Sequence, residues 1–200
     1  MASVVDFIER RMRLKVNAAK SAVARPEERH FLGFRLRREP LDGNVEVLLS
    51  RRSQERLDAK VRELTPRRWG RSLAACILAV NAYLLGWVGF FGICTEGVER
   101  KLGGVDAHIR RRLRAIQLTH WKSKRTIAGK LTKLGVSRKL AWRVTYGGRK
   151  STWALSHTAA VDRGLRNAYF AERGLVSLVA EWKRRGKSIG APVQLRLALG

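Results

Sequence analysis

The stretch "SLAACILAVNAYLLGWVGFFGICT", residues 72–95, contains no charged side chain, although the rest of the protein is dense with charge. It is long enough to span a lipid bilayer. Asn81 and three glycines interrupt it, and basic residues flank both of its sides, whereas orientation in a membrane depends on an asymmetry of Lys and Arg. We therefore interpret it as a buried helix in an α-rich core, with a membrane-spanning helix as the less favoured alternative.

The overall charge is strongly positive. Lys and Arg number 42 against 16 Asp and Glu, which gives a net charge of +26 at pH 7. A field of this size concentrates polyanions, of which nucleic acid is the commonest and an anionic membrane surface the main rival. An apolar content of 45% in 200 residues is sufficient for a folded core, so the sequence predicts a folded protein that binds nucleic acid.

The residues that bind metals most often are too scattered to predict a metal site or any cofactor. Cys76 and Cys94 form no C-x-x-C pair, and none of the four histidines has the spacing of paired metal ligands. Both cysteines are expected to be reduced thiols in the core. The N-terminus contains acidic residues and no long apolar segment, which argues against a secretory signal. We expect a cytosolic protein, or an organellar one if the source is eukaryotic.

Apolar spacing predicts a mainly α-helical fold, a helical bundle preceded by a helix and a β-hairpin. Spacings of three and four predict the first helix over residues 3–16, followed by a loop at Pro26. Two strands, 30–36 and 44–49, are joined by the turn signal Asp42-Gly43. Helical periodicity then predicts seven segments, at 53–64, 71–92, 105–121, 126–134, 137–144, 159–171 and 174–183.

The segment between Asp106 and Asp162 has no acidic residue but contains fourteen Lys and Arg. Structural helix faces usually mix the two signs, because like charges one turn apart repel each other. This segment is therefore expected to face an external anion. Trp121, Trp142, Tyr146 and Trp153 are interleaved with the cations and could stack on unpaired bases, although core packing is the alternative for each aromatic residue.

Several motifs in this order resemble a known family. "RLKVNAAKSAV" followed by "RHFLGF" resembles the end of the palm of a group II intron reverse transcriptase. The stretches that resemble the thumb and maturase-specific region of the same proteins are "GRSLAACILAVNAYLLGWVGFF", "VDAHIRRRLRAIQLTHWKSKRT", "LGV" and "HTAAVDRGLRNAYFAERGLVSL". The resemblance extends from about residue 10 to residue 182.

The resemblance implies three parts and two sets of site residues. Residues 1–50 would be the end of the palm, 51–145 the thumb and maturase-specific helices, and 146–200 the C-terminal maturase helices and tail. The strand that grips the primer would contain Phe31, Leu32, Gly33 and Phe34. The residues expected to bind RNA are Arg110, Arg111, Arg112, Arg114, Trp121, Lys122, Lys124, Arg125, Lys130, Arg138, Lys139 and Arg143, with Arg111, Arg112 and Arg114 facing water.

The aspartates of a polymerase are missing from the sequence. Polymerases of this family hold two Mg²⁺ ions on an adjacent aspartate pair and a third upstream aspartate, whereas no two of the five aspartates here are adjacent. The resemblance therefore implies no catalytic residues and no enzyme, but a maturase-type protein that stabilises folded group II intron RNA. Two alternatives remain: a thumb that clamps a template-primer duplex for a separate palm and fingers polypeptide, and a remnant with only general affinity for polyanions.

Overall fold

A computed structural model describes residues 2–17, 19, 21, 24–25, 28, 30–38, 45–67, 70–148 and 150–188. The chain divides into two compact units, Met1–Ser50 and Arg51–Gly200. The first contains a helix and a small antiparallel sheet, and the second is helical. The predicted mainly α fold, with a hairpin near the N-terminus, is confirmed. The Asp42-Gly43 turn and Pro26 lie outside the described residues.

The N-terminal unit begins with α1, Ala2–Arg10, which has no buried side chain and ends before the predicted residue 16. Its sheet has the order β1-β2-β3, with strands His30–Phe31, Phe34–Arg38 and Val45–Leu49. Phe34 pairs with Leu49 across β2 and β3, and both side chains are buried. The Arg37 guanidinium donates to the Glu46 carboxylate on the neighbouring strand at 2.7 Å.

The prediction of one continuous strand over residues 30–36 is wrong. Leu32 and Gly33 have φ angles of 51° and 87°, so they form a two-residue turn that separates β1 from β2. Of the two aromatic residues in this segment, Phe31 is 72% exposed whereas Phe34 is 8% exposed. Phe34 lies on the central strand with a neighbour on each side, while Phe31 lies on the edge strand.

The helical unit contains nine α-helices in the part of the chain that the structure describes. They are α2 Arg51–Leu64, α3 Leu73–Phe91, α4 Glu99–His120, α5 Lys124–Lys133, α6 Arg138–Tyr146, α7 Thr152–Leu155, α8 Ala159–Gly164, α9 Asn167–Ala171 and α10 Leu178–Ser188. A 3-10 helix at Glu96–Val98 lies between α3 and α4. The single helix predicted for 159–171 is wrong, because the chain leaves helical geometry at Leu165 and α9 starts anew at Asn167. Helix α7 was not predicted.

Helix α3 is the charge-free stretch, and its buried face packs against α2, α4 and α10. Asn81, which interrupts the apolar run, donates from Nδ2 to the Gly174 carbonyl at 2.6 Å and accepts from the Val176 amide at 3.0 Å. The opposite face leaves Leu78 and Phe90 exposed. By length and composition alone α3 could cross a membrane. One third of that stretch is buried inside the protein, and its interpretation as a core helix stays a prediction.

Helix α4 is the central helix of this unit, because α3, α7 and α10 all contact it. Asp106 on α4 is buried and holds the N-terminus of α10. Its carboxylate accepts hydrogen bonds from the Leu178 amide at 2.9 Å, the Val179 amide at 3.3 Å and the Ser177 hydroxyl at 2.6 Å. A carboxylate at this position satisfies amide donors that the first turn of a helix leaves unpaired and suits the positive end of its dipole.

Candidate nucleic-acid interface

Helices α5 and α6 form an antiparallel pair that carries half of the predicted RNA-binding residues. The Lys124 ammonium at the start of α5 donates to the Gly148 carbonyl just beyond α6, at 3.2 Å. Ser123 and Ser137 cap the two helices, because each hydroxyl accepts a backbone N–H of the first turn. The chain reverses at Gly135, whose φ of 87° suits a residue without a Cβ atom.

The α5–α6 pair is held in place by packing against α8. Ile127, Leu131 and Val136 are buried. A Cβ atom added at Gly164 on α8 would lie 2.8 Å from Leu131 Cδ2 and 3.2 Å from Val136 Cγ2, so the glycine allows this close approach. Buried apolar contacts on one side of the α5–α6 pair consequently fix the position of its polar side.

Seven predicted residues on and next to this pair are exposed cations, which we call the α5–α6 basic surface. Its members are Lys122, Lys124, Arg125, Lys130, Arg138, Lys139 and Arg143. Within the described ranges, no carboxylate forms an ion pair with any of them, whereas seven ion pairs occur elsewhere in the protein. Their charges are therefore not neutralised by ion pairs within the part of the chain that the structure describes.

Aromatic side chains lie beside this basic surface. The rings of Trp142 and Tyr146 stack at 5.3 Å between centroids with an interplanar angle of 3°, and Tyr146 is 47% exposed. The Lys124 ammonium lies 5.7 Å from the centre of the Tyr146 ring. Trp121, also predicted to contact RNA, is half-buried at the C-terminal end of α4. An exposed ring next to cations is suited to stacking on an unpaired base.

The connection between α4 and α5 places Lys122 in an unusual backbone conformation. Its φ is 59°, in the left-handed region that favours glycine. The Lys122 amide donates to the Thr119 carbonyl at 3.1 Å, and the chain then turns directly into the Ser123 cap. A lysine at a position that favours glycine lowers the stability of the fold locally, which favours a functional role for the Lys122 side chain.

The expectation that Arg111, Arg112 and Arg114 face water is wrong. Arg112 donates to the Thr65 carbonyl at 2.6 Å and to the Arg62 carbonyl at 3.3 Å. Arg114 pairs with Asp162 at 2.7 Å and donates to the Leu165 carbonyl at 2.9 Å. Burial is the main cause that lowers the pKa of both guanidiniums from the ordinary arginine value.

Arg111 and Arg110 are half-buried as well, and Arg111 lies against the Trp153 ring at 4.2 Å from its centroid. Helical periodicity correctly placed Ile109, Leu113 and Ile116 in the core. It could not indicate that α2, α7 and α8 also cover the flanks of α4. The binding of RNA by these four arginines stays a prediction.

The two cysteines are free and buried, as expected. Burial raises the pKa of the Cys76 thiol to about 11 and that of Cys94 to about 12. Among the described residues, no three His, Cys, Asp or Glu side chains lie close enough together to hold a metal ion. The interface is thus built from cations, hydroxyls and aromatic rings.

A comparison with known protein families finds a match within the helical unit. Residues 54–135 match a family model described as the group II intron, maturase-specific domain, whereas α6 with Trp142 and Tyr146 lies beyond the matched residues. Residues 54–135 are therefore similar to the maturase-specific domain of the group II intron proteins, and the resemblance predicted from the sequence is confirmed over that stretch. The match extends from α2 to the turn after α5. No curated protein matches the chain significantly.

Proposed function

We propose that the protein binds group II intron RNA through the α5–α6 basic surface and stabilises the folded RNA for splicing, while the RNA itself does the cutting and joining. The observation that carries the proposal is the set of seven exposed cations for which the described part of the chain supplies no acidic partner. Cations of this kind release condensed counterions when they contact phosphates, which favours binding.

The Trp142–Tyr146 pair supports RNA rather than a featureless polyanion. Sequence-specific recognition of RNA mostly uses unpaired bases that stack on aromatic rings, and structured introns supply loops and bulges of that kind. The maturase-specific domain supports the same class of partner. We further propose that the chain has no polymerase activity of its own, since it has no adjacent aspartates for two Mg²⁺ ions. Such a protein would work in the cytosol or in an organelle, where its intron RNA is spliced.

The experiment is a binding titration of intron RNA over a range of salt concentrations. Replacing Lys122, Lys124 and Arg125 together by Ala should weaken binding and reduce the slope of log K against log salt by about 2 to 3 units, roughly one per lost phosphate contact. The matched control removes the same charge from exposed positions outside the surface, with Arg52, Arg56 and Arg100 replaced by Ala. If both triple variants lose affinity equally, only the net charge matters and the site is not the α5–α6 basic surface.

A second arm of the experiment compares ligands. Intron RNA should bind more tightly than unrelated duplex RNA or anionic vesicles at near-physiological salt. Equal affinity for all three would contradict a specific maturase function. Preference for a template-primer duplex over intron RNA would favour the thumb of a split polymerase, which needs a separate palm and fingers polypeptide.

A further inference from the structure

A second cationic cluster surrounds the indole of Trp153 on α7. The guanidinium carbons of Arg111, Arg67 and Arg112 lie 4.2, 5.3 and 5.9 Å from the centre of the Trp153 ring. Arg111 and Arg112 come from α4, while Arg67 follows the end of α2. We call these four residues the arginine–tryptophan cluster. In the described residues, no carboxylate forms an ion pair with any of its three arginines.

The cluster concentrates positive charge for which the described residues supply no ion-paired carboxylate. Arg67 and Arg62 add to burial in lowering the pKa of Arg112. The pKa of His108, whose ring meets Trp153 edge-on at 6.3 Å, is lowered by burial and then by Arg112, Arg62 and Arg111, with Asp58 acting in the opposite direction. His108 is therefore neutral at pH 7 and does not add to the charge. An anion placed here would be attracted by several guanidiniums at once.

The three arginines differ in how their donors are used. Arg112 is fixed by the Thr65 and Arg62 carbonyls and acts as a support. Arg111 Nε and His108 Nε2 are buried without a hydrogen-bond partner. Arg67 is exposed, and its contact in the described structure is with the ring. An unpaired buried donor such as Arg111 Nε costs free energy, so a ligand that accepts a hydrogen bond from it would recover that cost.

We propose that Arg67 and Arg111, seated on Trp153 and backed by Arg112, form a binding site for one phosphate group. The planar guanidinium fork can donate two parallel hydrogen bonds to phosphate oxygens, and the aromatic ring restricts its orientation. About 14 Å of helix separates Arg111 from the end of α4 at His120, so this site is distinct from the α5–α6 basic surface. The identity of the ligand as a backbone phosphate of RNA rests on the proposed function.

The first test uses pyrophosphate as the probe and the indole N–H signal of Trp153, assigned with the variant Trp153→Phe, as the readout. Millimolar pyrophosphate should shift this signal in the intact protein. Arg67→Gln should weaken the apparent affinity at least threefold, and Arg67→Lys should weaken it less because the charge remains. Arg100→Gln removes an exposed charge near the N-terminal end of α4, away from the cluster, and should leave the pyrophosphate titration unchanged. Equal titrations for the wild type and Arg67→Gln would overturn the site.

The second test identifies the source of the phosphate. Arg67→Gln should reduce the salt slope of intron RNA binding by about one unit. An unchanged slope with an impaired pyrophosphate titration would assign the site to a free phosphate compound and overturn the RNA contact. The result is separable from the proposed function, because loss of RNA binding in the Lys122, Lys124 and Arg125 variant does not depend on Arg67. Arg67 is exposed, so unfolding of its variants is not expected, and circular dichroism would check this.

Discussion

Replacing Asp106 by Ala should destabilise the helical unit far more than removal of any exposed carboxylate. The change leaves the Leu178 and Val179 amides and the Ser177 hydroxyl without the carboxylate that accepts from them. An unsatisfied buried donor costs about 1–3 kcal/mol. The Val179 bond is long at 3.3 Å, and Ser177 is only half-buried, so its hydroxyl can donate to water instead; both therefore make smaller contributions than Leu178. We expect a loss of about 3 kcal/mol in the free energy of unfolding.

The matched control is Glu99→Ala. Glu99 lies on the same helix as Asp106 and pairs with Lys183 on α10, so both acids join the same two helices. Both substitutions also raise the net charge by one, which equalises the effect on overall repulsion. The Glu99–Lys183 pair is about half exposed on each side, and an exposed pair contributes about 0.2–1 kcal/mol. The two variants therefore differ in whether the carboxylate that is removed is buried and in whether it accepts hydrogen bonds from backbone amides.

The assay is urea unfolding followed by far-ultraviolet circular dichroism, with Asp106→Asn as a third variant. Asn has the same shape and keeps one oxygen for the Leu178 amide, but it turns a donor toward the second group and removes the charge at the helix N-terminus. We expect it to lose about half as much as Asp106→Ala. A loss below about 1 kcal/mol for Asp106→Ala, or a loss equal to that of Glu99→Ala, would refute the capping argument.

Four further outcomes follow from the geometry. Lys122→Gly should raise the free energy of unfolding by about 0.5–1 kcal/mol, since glycine fits a φ of 59°. The same substitution should weaken RNA binding. A loss of stability would contradict the backbone argument. Stability should fall as pH rises from about 9 to 11, because unfolded Cys76 loses its proton before the buried thiol does; urea unfolding of Cys76→Ala should show a shallower fall. Purified protein with primer, template, nucleotides and Mg²⁺ should extend no primer above a buffer control, and robust extension would overturn the metal argument. Amides of residues 30–38 and 45–49 should exchange hydrogen faster than those of α3, and equal protection would contradict the marginal stability expected of so small a sheet.

The helices of the core were predictable because their signal is local. The charge-free stretch and the spacing of Ile109, Leu113 and Ile116 indicate α3 and α4 without any knowledge of their partners. The start of α4 at Glu99 was missed, since Gly103 and Gly104 lower helix propensity. Packing requires neither glycine: a Cβ atom at Gly103 would lie 3.9 Å from Val179 Cγ2 of α10, an ordinary contact distance, and one at Gly104 would meet nothing within 4 Å.

The functional surface was predictable only in part, because exposure depends on distant partners. The exposed cations of α5 and α6 follow from a run without acids, which is visible in the sequence. Arg112 and Arg114 belong to the same run, yet their acceptors lie 47 and 51 residues away along the chain. The arginine–tryptophan cluster was missed for the same reason, since Arg67 and Trp153 come together only in the fold.

The positions of the acidic residues explain how one chain can be both stable and strongly basic. Asp106 caps α10, Glu99 pairs with Lys183, and Asp162 pairs with Arg114, so the acids that border the acid-free segment hold its helices to the rest of the unit. An acid on the α5–α6 basic surface would form local ion pairs worth only a fraction of a kcal/mol, about 0.3–0.5 on a helix. It would also compete with the RNA phosphate that we propose as the partner of a cation there. Acidic residues placed in this way cap and pair helices where the fold needs them. They leave the cations of the α5–α6 basic surface able to release counterions when a ligand binds.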